Sequence, residues 1–328
     1  MRDKIFKFLK KILPFIGLIF FIIFIILTLD FIELKEAFLR VSPVYIFFSL
    51  VLTIPGIIIR NYAWQIVLKE QVIKISFLQS LKVFLIGYFY GSFTPGFYGQ
   101  LMRIPYLKDK TGEPYGKIFV NTFIEISMRG FSVYLMILFG ALFFLSSIKE
   151  IFYVILVWFI IFTSVIFYFI KKERGEKIFF LFIKYIIPKR FKITINRFIS
   201  TFYNDFPRIR VLILPVFLSV ITWFLIFTQY YIFVIALSLQ ISYIAFLFLF
   251  PIANVAGFIP ITIAGIGVRE ITAITIFTTI YNVSKEEILV VSLLGFIIID
   301  IITAFVGFLL SLTETVDKKS FLKLLKLS

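Results

Sequence analysis

Arg103 and Arg269 each stand a few residues after a stretch in which proline and glycine interrupt an apolar run. The first stretch is TPGFYGQLMR, with Pro95, Gly96 and Gly99; the second is FIPITIAGIGVRE, with Pro260, Gly265, Gly267 and, beside the arginine, Glu270. Proline removes a backbone donor and clashes with the preceding turn, while glycine enters dihedrals that other residues resist, so both stretches are expected to break a helix. A guanidinium is a planar fork of five donors that fits phosphate and carboxylate oxygens. Half-helix N-termini and glycine N–H groups would add partial positive charge, a setting suited to phosphate. Glu270, Glu125 and Asp300 would offset the arginines when no ligand is bound. Glu125 and Arg129, four residues apart on one helical face, have the spacing of a neutralising pair. Arg60, in IIIRNYAW, lies near the end of its apolar run, where snorkelling to the interface competes with a substrate role.

An ionisable side chain inside a membrane helix costs about 2.5 to 3.5 kcal/mol on insertion scales, so several together point to function. The competing explanation is that they pair with one another and lock two halves of the chain together. Other chemistry is excluded by composition. The chain has no Cys and no His, which removes disulfides, thiolate nucleophiles, imidazole bases and the usual zinc ligands. Neither a phosphate-binding P-loop nor an HExxH motif is present, and no cofactor is expected. Asp30, Glu33 and Glu36 share a helical face and imitate a paired-carboxylate site, but the reading adopted is a solvated external loop. Asn282-Val283-Ser284 fits a glycosylation sequon, a triplet that often arises by chance.

The elements that must position these residues are membrane helices. Of 328 residues, 61% are hydrophobic and 16% charged, where a soluble domain carries about a quarter charged, so the fold class is an all-α polytopic membrane protein. The net charge of +16 is read as cytoplasmic loops and contact with anionic lipid rather than nucleic-acid binding. Residues 1–11 carry five basic residues and precede the apolar run 12–29, an uncleaved first helix with a cytoplasmic N-terminus. Apolar runs at 44–68, 117–145, 151–170, 211–237 and 288–312 complete about six full transmembrane helices. Residues 171–210 hold 11 basic residues and three acids, and read as a cytoplasmic amphipathic linker.

With the first broken segment counted as a plain crossing, five crossings precede residue 171 and the most basic segment falls outside, against the charge rule. Making 76–107 a re-entrant hairpin from the cytoplasm and 243–281 one from outside leaves every cytoplasmic segment basic. The whole chain, 1–328, then forms one integral domain. Its repeat cores, 44–145 and 211–312, enter from opposite sides, the arrangement of an inverted-repeat transporter with its site where the breaks meet. Gly87 and Gly91, four apart, are expected to admit another helix closely.

The two runs, TPGFYGQLMRIPYLKDKTGEPYGK and IPITIAGIGVRE, in this order and separated by a basic loop, resemble the flippase-like membrane domain of lysylphosphatidylglycerol synthases and its stand-alone relatives. The resemblance extends from RNYAW near Arg60 to the last helix. Gln100 stands where the family usually has an acid, Ile126 where it has an arginine, and Arg129 where an acid is common. The resemblance implies a lipid translocase moving an anionic or aminoacylated phospholipid, or a polyprenyl-phosphate-linked lipid, across the cell membrane; the charge rule places both termini in the cytoplasm. The implied partners are membrane lipids and a separate lipid-modifying synthetase or glycosyltransferase. Only 16 residues follow Leu312, so the synthase's soluble domain is not expected. Two alternatives are kept: a membrane transferase of lipid-linked glycan synthesis, and a non-transporting subunit that holds a soluble synthetase through 171–210.

Overall fold

The computed structural model describes residues 22–170, 200, 204–259 and 262–314; Pro260, most of the 171–210 linker and most of the expected first helix lie outside this set. Helical residues 22–28 lead into α1 (Phe31–Arg40) and the long α2 (Pro43–Glu70). The first hairpin follows: α3 (Phe77–Ser92), a break containing the 3₁₀ turn Tyr98–Met102, and α4 (Arg103–Thr111). Next come α5 (Tyr115–Ile170) and α6 (Ile209–Ala236). The second hairpin consists of α7 (Tyr243–Ala256) and α8 (Val268–Tyr281). The last long helix, α9 (Lys285–Thr313), contains a π-helical turn at Ile297–Ile301. No strand is present among the described residues.

Local chemistry sets the starts of these helices. Ser42, Ser76, Ser242 and Ser284 each cap an N-terminus by accepting a backbone N–H, and Ser76 completes a capping box with Gln79. Four helices are long and apolar enough to cross a membrane: α2, residues Tyr115–Gly140 of α5, α6 and α9. The hairpin limbs are not. At about 1.5 Å per residue, the 16 residues of α3 reach about 24 Å and the 14 of α7 or α8 about 21 Å, short of a hydrocarbon layer near 30 Å.

The helical stretch α5 is not straight: the Phe159 ring lies 5.6 Å from that of Phe131 and 6.2 Å from that of Tyr134. At about 1.5 Å per residue a straight helix would hold Phe131 and Phe159 about 42 Å apart, so the chain doubles back between the two expected runs, 117–145 and 151–170. One sequence expectation needs correction. The acidic segment after Asp30 is not a loop but helix α1. The Asp30 carboxylate accepts the N–H groups of Ile32 and Glu33 at 2.7 and 3.2 Å, which commits it to capping. The sequon residues are also structural: Asn282 ends α8 in the left-handed region and Ser284 caps α9.

Packing follows one rule in both halves. α2 lies along α6, and the amide of Gln229 glues them by donating to the Ser49 carbonyl and the Thr53 hydroxyl at 2.7 and 2.6 Å. Each hairpin's first limb packs on the last long helix of the other half, α3 on the C-terminal part of α9 and α7 on α5. A glycine makes room at each crossing. A Cβ on Gly307 would lie 2.1 Å from the Leu85 carbonyl oxygen, and one on Gly140 would lie 2.3 Å from Phe248 Cβ. The second half has one extended apolar core across α6 to α9, while a separate cluster gathers around Trp64, Phe84 and Leu107 in the first half.

Candidate functional site

The two breaks have the same local design. Thr94-Pro95-Gly96-Phe97 and Thr262-Ile263-Ala264-Gly265 each begin with threonine and end with two consecutive left-handed residues, φ 61° and 58° in the first, 52° and 76° in the second. Phe97 and Ala264 hold that conformation without being glycine, at a cost of about 1 to 2 kcal/mol each. Strained backbone of this kind persists only where surrounding contacts impose it. Here the imposing contact is the other break: Pro95 and Ile263 pair as an antiparallel backbone bridge, so the two tips meet.

Each tip then folds back tightly on its own hairpin. A Cβ on Gly99 would sit 2.0 Å from the Tyr90 carbonyl oxygen, and one on Gly265 would sit 2.6 Å from that of Gly257. Gly87 and Gly91 serve the same purpose. Added Cβ atoms there would meet Arg103 Cβ at 3.0 Å and Gln100 Cγ at 2.7 Å, so these glycines admit the returning chain of their own hairpin instead of a separate helix.

This folding delivers both arginines to buried carboxylates. Arg103, 1% exposed, donates through Nη2 to Glu125, and its guanidinium lies 4.8 Å from the Trp64 ring centre. Trp64 is itself held by an Nε1–H donated to Asn121 at 2.6 Å. Glu125 also faces Arg60 Nε at 3.9 Å, and the Arg60 guanidinium rests 4.8 and 5.4 Å from the rings of Phe84 and Tyr88. In the second half Arg269 grips Glu270 Oε1 through Nε and Nη2 at 2.9 and 2.5 Å, and its Nη1 lies 3.8 Å from Asp300. Ser292 donates to Glu270 at 3.0 Å, Phe296 lies under Arg269 at 4.6 Å, and Tyr88 donates to Asp300 across the two halves. Asp300 sits on the π turn of α9, a distortion often found at functional positions.

A polar cavity of about 40 Å³ opens between the halves, lined among others by Arg60, Tyr88, Phe97, Arg129, Trp223, Asn254, Ala264, Arg269 and Asp300. That volume admits a few waters or one small polar group. Three expectations change here. Glu125 pairs with Arg103 and Arg60, not with Arg129, because the first break carries Arg103 onto the Glu125 face; Arg129 lines the cavity and makes no ion pair among the described residues. Arg103 is not among the lining residues, and its charge reaches the cavity only through Glu125 and Arg60. The N-terminus of α8 is not free for an anion, since the Gly267 N–H donates to Glu270 Oε2 at 2.6 Å.

The sequence reading missed Tyr88, Trp64, Ser292 and Asn254. Asn254, the one amide in the apolar helix α7, carried a readable signal; the others gain their roles from neighbours distant in the chain.

Residues 14–307 match the family described as the lysylphosphatidylglycerol synthase TM region, a span that takes in both breaks and every arginine and carboxylate named above. The chain belongs to that family. Among the curated relatives of this TM-region protein is a UPF0104 membrane protein of Methanocaldococcus jannaschii, 23% identical over 331 residues that cover 95% of this chain and 98% of the relative. With an all-helical fold and four apolar helices of spanning length, this member of the lysylphosphatidylglycerol synthase TM-region family is membrane-embedded.

Proposed function

We propose that the protein is a lipid translocase that moves an anionic or aminoacylated phospholipid, or a polyprenyl-phosphate-linked lipid, across the cell membrane. The observation that carries this reading is the meeting of the two breaks, at Pro95 and Ile263, beside a cavity lined by Arg60, Arg129 and Arg269. Irregular backbone at membrane depth is tolerated only where it is buried in protein or lines a watery cavity, and broken helices that meet at a site are the pattern of inverted-repeat transporters. The short hairpin limbs and the exchanged packing of α3 on α9 and α7 on α5 support two re-entrant hairpins entering from opposite sides. In this topology both termini are cytoplasmic. The phosphate-bearing head crosses through the charged cavity while the chains stay in the bilayer.

Transport is preferred to transferase chemistry because the acidic group that invited the latter, Asp30, caps α1, and Glu33 and Glu36 point into the exposed surface of that helix. The deciding experiment reconstitutes the purified protein in liposomes and follows labelled lipids of differing headgroup between leaflets. Rates above those of protein-free liposomes, lost in Arg269→Ala, are expected. Rates equal to those of empty liposomes for every headgroup would remove the reading.

A further inference from the structure

Among the described residues, Asp300 is the carboxylate that reaches both breaks. Its Oδ1 accepts the Tyr88 hydroxyl, and the Tyr88 ring packs edge-on against Phe97, a left-handed residue of the first tip, with ring centres 6.0 Å apart. Its Oδ2 lies 3.8 Å from Nη1 of Arg269, whose partner Glu270 holds the Gly267 N–H at the end of the second break. Asp300 itself stands on the π turn of α9 and lines the cavity between the halves.

It is also the core carboxylate open to a proton. Glu270 accepts from Gly267, twice from Arg269 and from Ser292, so both of its oxygens are occupied. Glu125 accepts from Arg103 and is not on the cavity wall. No donor among the described residues reaches Asp300 Oδ2, since 3.8 Å is too long for Arg269 to supply a hydrogen bond. The cavity, of about 40 Å³, admits a few waters. A proton from such a water can form an O–H bond at Oδ2 without displacing a donor. The charged and titratable groups that face Asp300 are Tyr88 of α3, Arg60 of α2, and Arg269 and Glu270 of α8, with Tyr230 of α6 and Arg129 of α5 on the same cavity wall. Arg60 and Arg269 are cations that the Asp300 carboxylate offsets. An anion in the cavity takes over that role and so favours the proton on Asp300; by linkage, the proton favours the anion.

Protonation also weakens a tie between the halves. A hydrogen bond accepted by a carboxylate is about twice as strong as one accepted by a neutral group, so a proton on Asp300 loosens its hold on Tyr88 and, through that ring, on Phe97 and the first tip. We propose that Asp300 is a proton-binding site, that its proton lets the two tips part, and that proton and anionic cargo cross the membrane in the same direction. The proposal rests on the translocase reading and supplies its energy source: the proton is taken from water on one side and returned to water on the other. Water-facing carboxylates within membrane proteins are the groups that proton relays use.

The first test reads the separation of the tips in the purified full-length protein, with no lipid cargo added. Spin labels on Tyr98→Cys and Ile259→Cys, exposed positions beside the two breaks in a chain with no native cysteine, report their distance by pulsed electron paramagnetic resonance. Between about pH 8 and about pH 5, a range in which buried carboxylates titrate, the labelled protein should gain a population with a longer distance. Asp300→Asn keeps an acceptor for Tyr88 but cannot ionise, and should show that population at both pH values. Tyr88→Phe, which lacks the hydroxyl, should do the same. A distance that ignores pH would overturn the proton site, as would a pH response that persists in Asp300→Asn. The short distance alone in Tyr88→Phe at the higher pH would overturn the tie. The second test follows labelled lipids of differing headgroup in liposomes that carry a pH difference and no membrane potential. A lipid that the protein moves should accumulate on the less acidic side by about tenfold per unit of pH difference, the shift that one proton per lipid sustains, and should not accumulate in Asp300→Asn. Movement indifferent to the pH difference would overturn the coupling and leave the translocase reading standing. A pH-dependent distance without movement of any headgroup would remove the translocase reading and leave the proton site.

Discussion

Glu125 and Glu270 decide what the arginines of the two breaks can do. Glu125 is 4% exposed and, among the described residues, is the one carboxylate beside both Arg103 and Arg60. Removing one partner of a buried pair leaves the other charged and unpaired, at a cost of about 3 to 5 kcal/mol. Glu125→Ala should therefore lower the unfolding midpoint of the detergent-solubilised protein far more than Glu125→Gln, which keeps an acceptor for Arg103; similar losses in the two variants would mean that charge compensation is not what Glu125 supplies. Arg269 differs, because its two bonds to Glu270 use the geometry of the fork. Arg269→Lys preserves the charge but not the fork, and translocation should fall about tenfold, the scale of one charged hydrogen bond, in a protein that still elutes as a folded species. The positions of arginine and glutamate could be read from the sequence as intramembrane charges. Their partners could not, because Arg103 and Glu125 are 22 residues apart and the neighbouring candidate, Arg129, has the more obvious helical spacing.

At the scale of elements, the hairpins depend on close approach. Gly140 and Gly307 hold equivalent crossings but against different obstacles: a Cβ on Gly140 meets the Phe248 side chain, while one on Gly307 meets the Leu85 backbone. Overpacking of this kind costs about 1 to 3 kcal/mol. A double-mutant cycle should show Phe248→Ala relieving part of the cost of Gly140→Ala, with a coupling of about 0.5 to 3 kcal/mol, and no coupling between Phe248→Ala and Gly307→Ala. Absence of coupling at Gly140 would mean that α5 and α7 cross elsewhere. The breaks themselves were legible, since Pro95, Gly96, Gly99, Gly265 and Gly267 signal broken helices by backbone chemistry alone. Their matching turns were not, because Phe97 and Ala264 have no intrinsic preference for the left-handed region; the facing tip holds them there.

For the whole molecule, the junction of the tips and the sidedness of the loops are open to direct measurement. The chain has no native cysteine, so introduced ones report without interference. Residues paired across an antiparallel bridge have Cα atoms about 4.5 to 5.5 Å apart, within disulfide range. Cysteines replacing Pro95 and Ile263 should cross-link on oxidation, stop translocation and release it on reduction; efficient translocation by the cross-linked protein would show that the tips need not part. A single cysteine at position 110 should react only with reagents that reach the cytoplasm, and labelling from outside would sink the proposed sidedness.

The sequence by itself determined the membrane setting, the all-helical fold, the two broken segments and the exclusion of thiol, imidazole and zinc chemistry, while of the six full spans it suggested the described helices supply four of spanning length and composition. Those conclusions follow from composition, apolar run length and the backbone limits of proline and glycine, all local properties. Only the tertiary structure decided that the tips meet and that each hairpin packs on the other half. It also decided that Glu125 serves Arg103 and Arg60, and that Arg129 lines the cavity with no ion pair among the described residues. The reason is physical: which buried charge meets which is set by where helices far apart in the chain cross, and in a low-dielectric interior the nearest opposite charge in space prevails over the nearest in sequence.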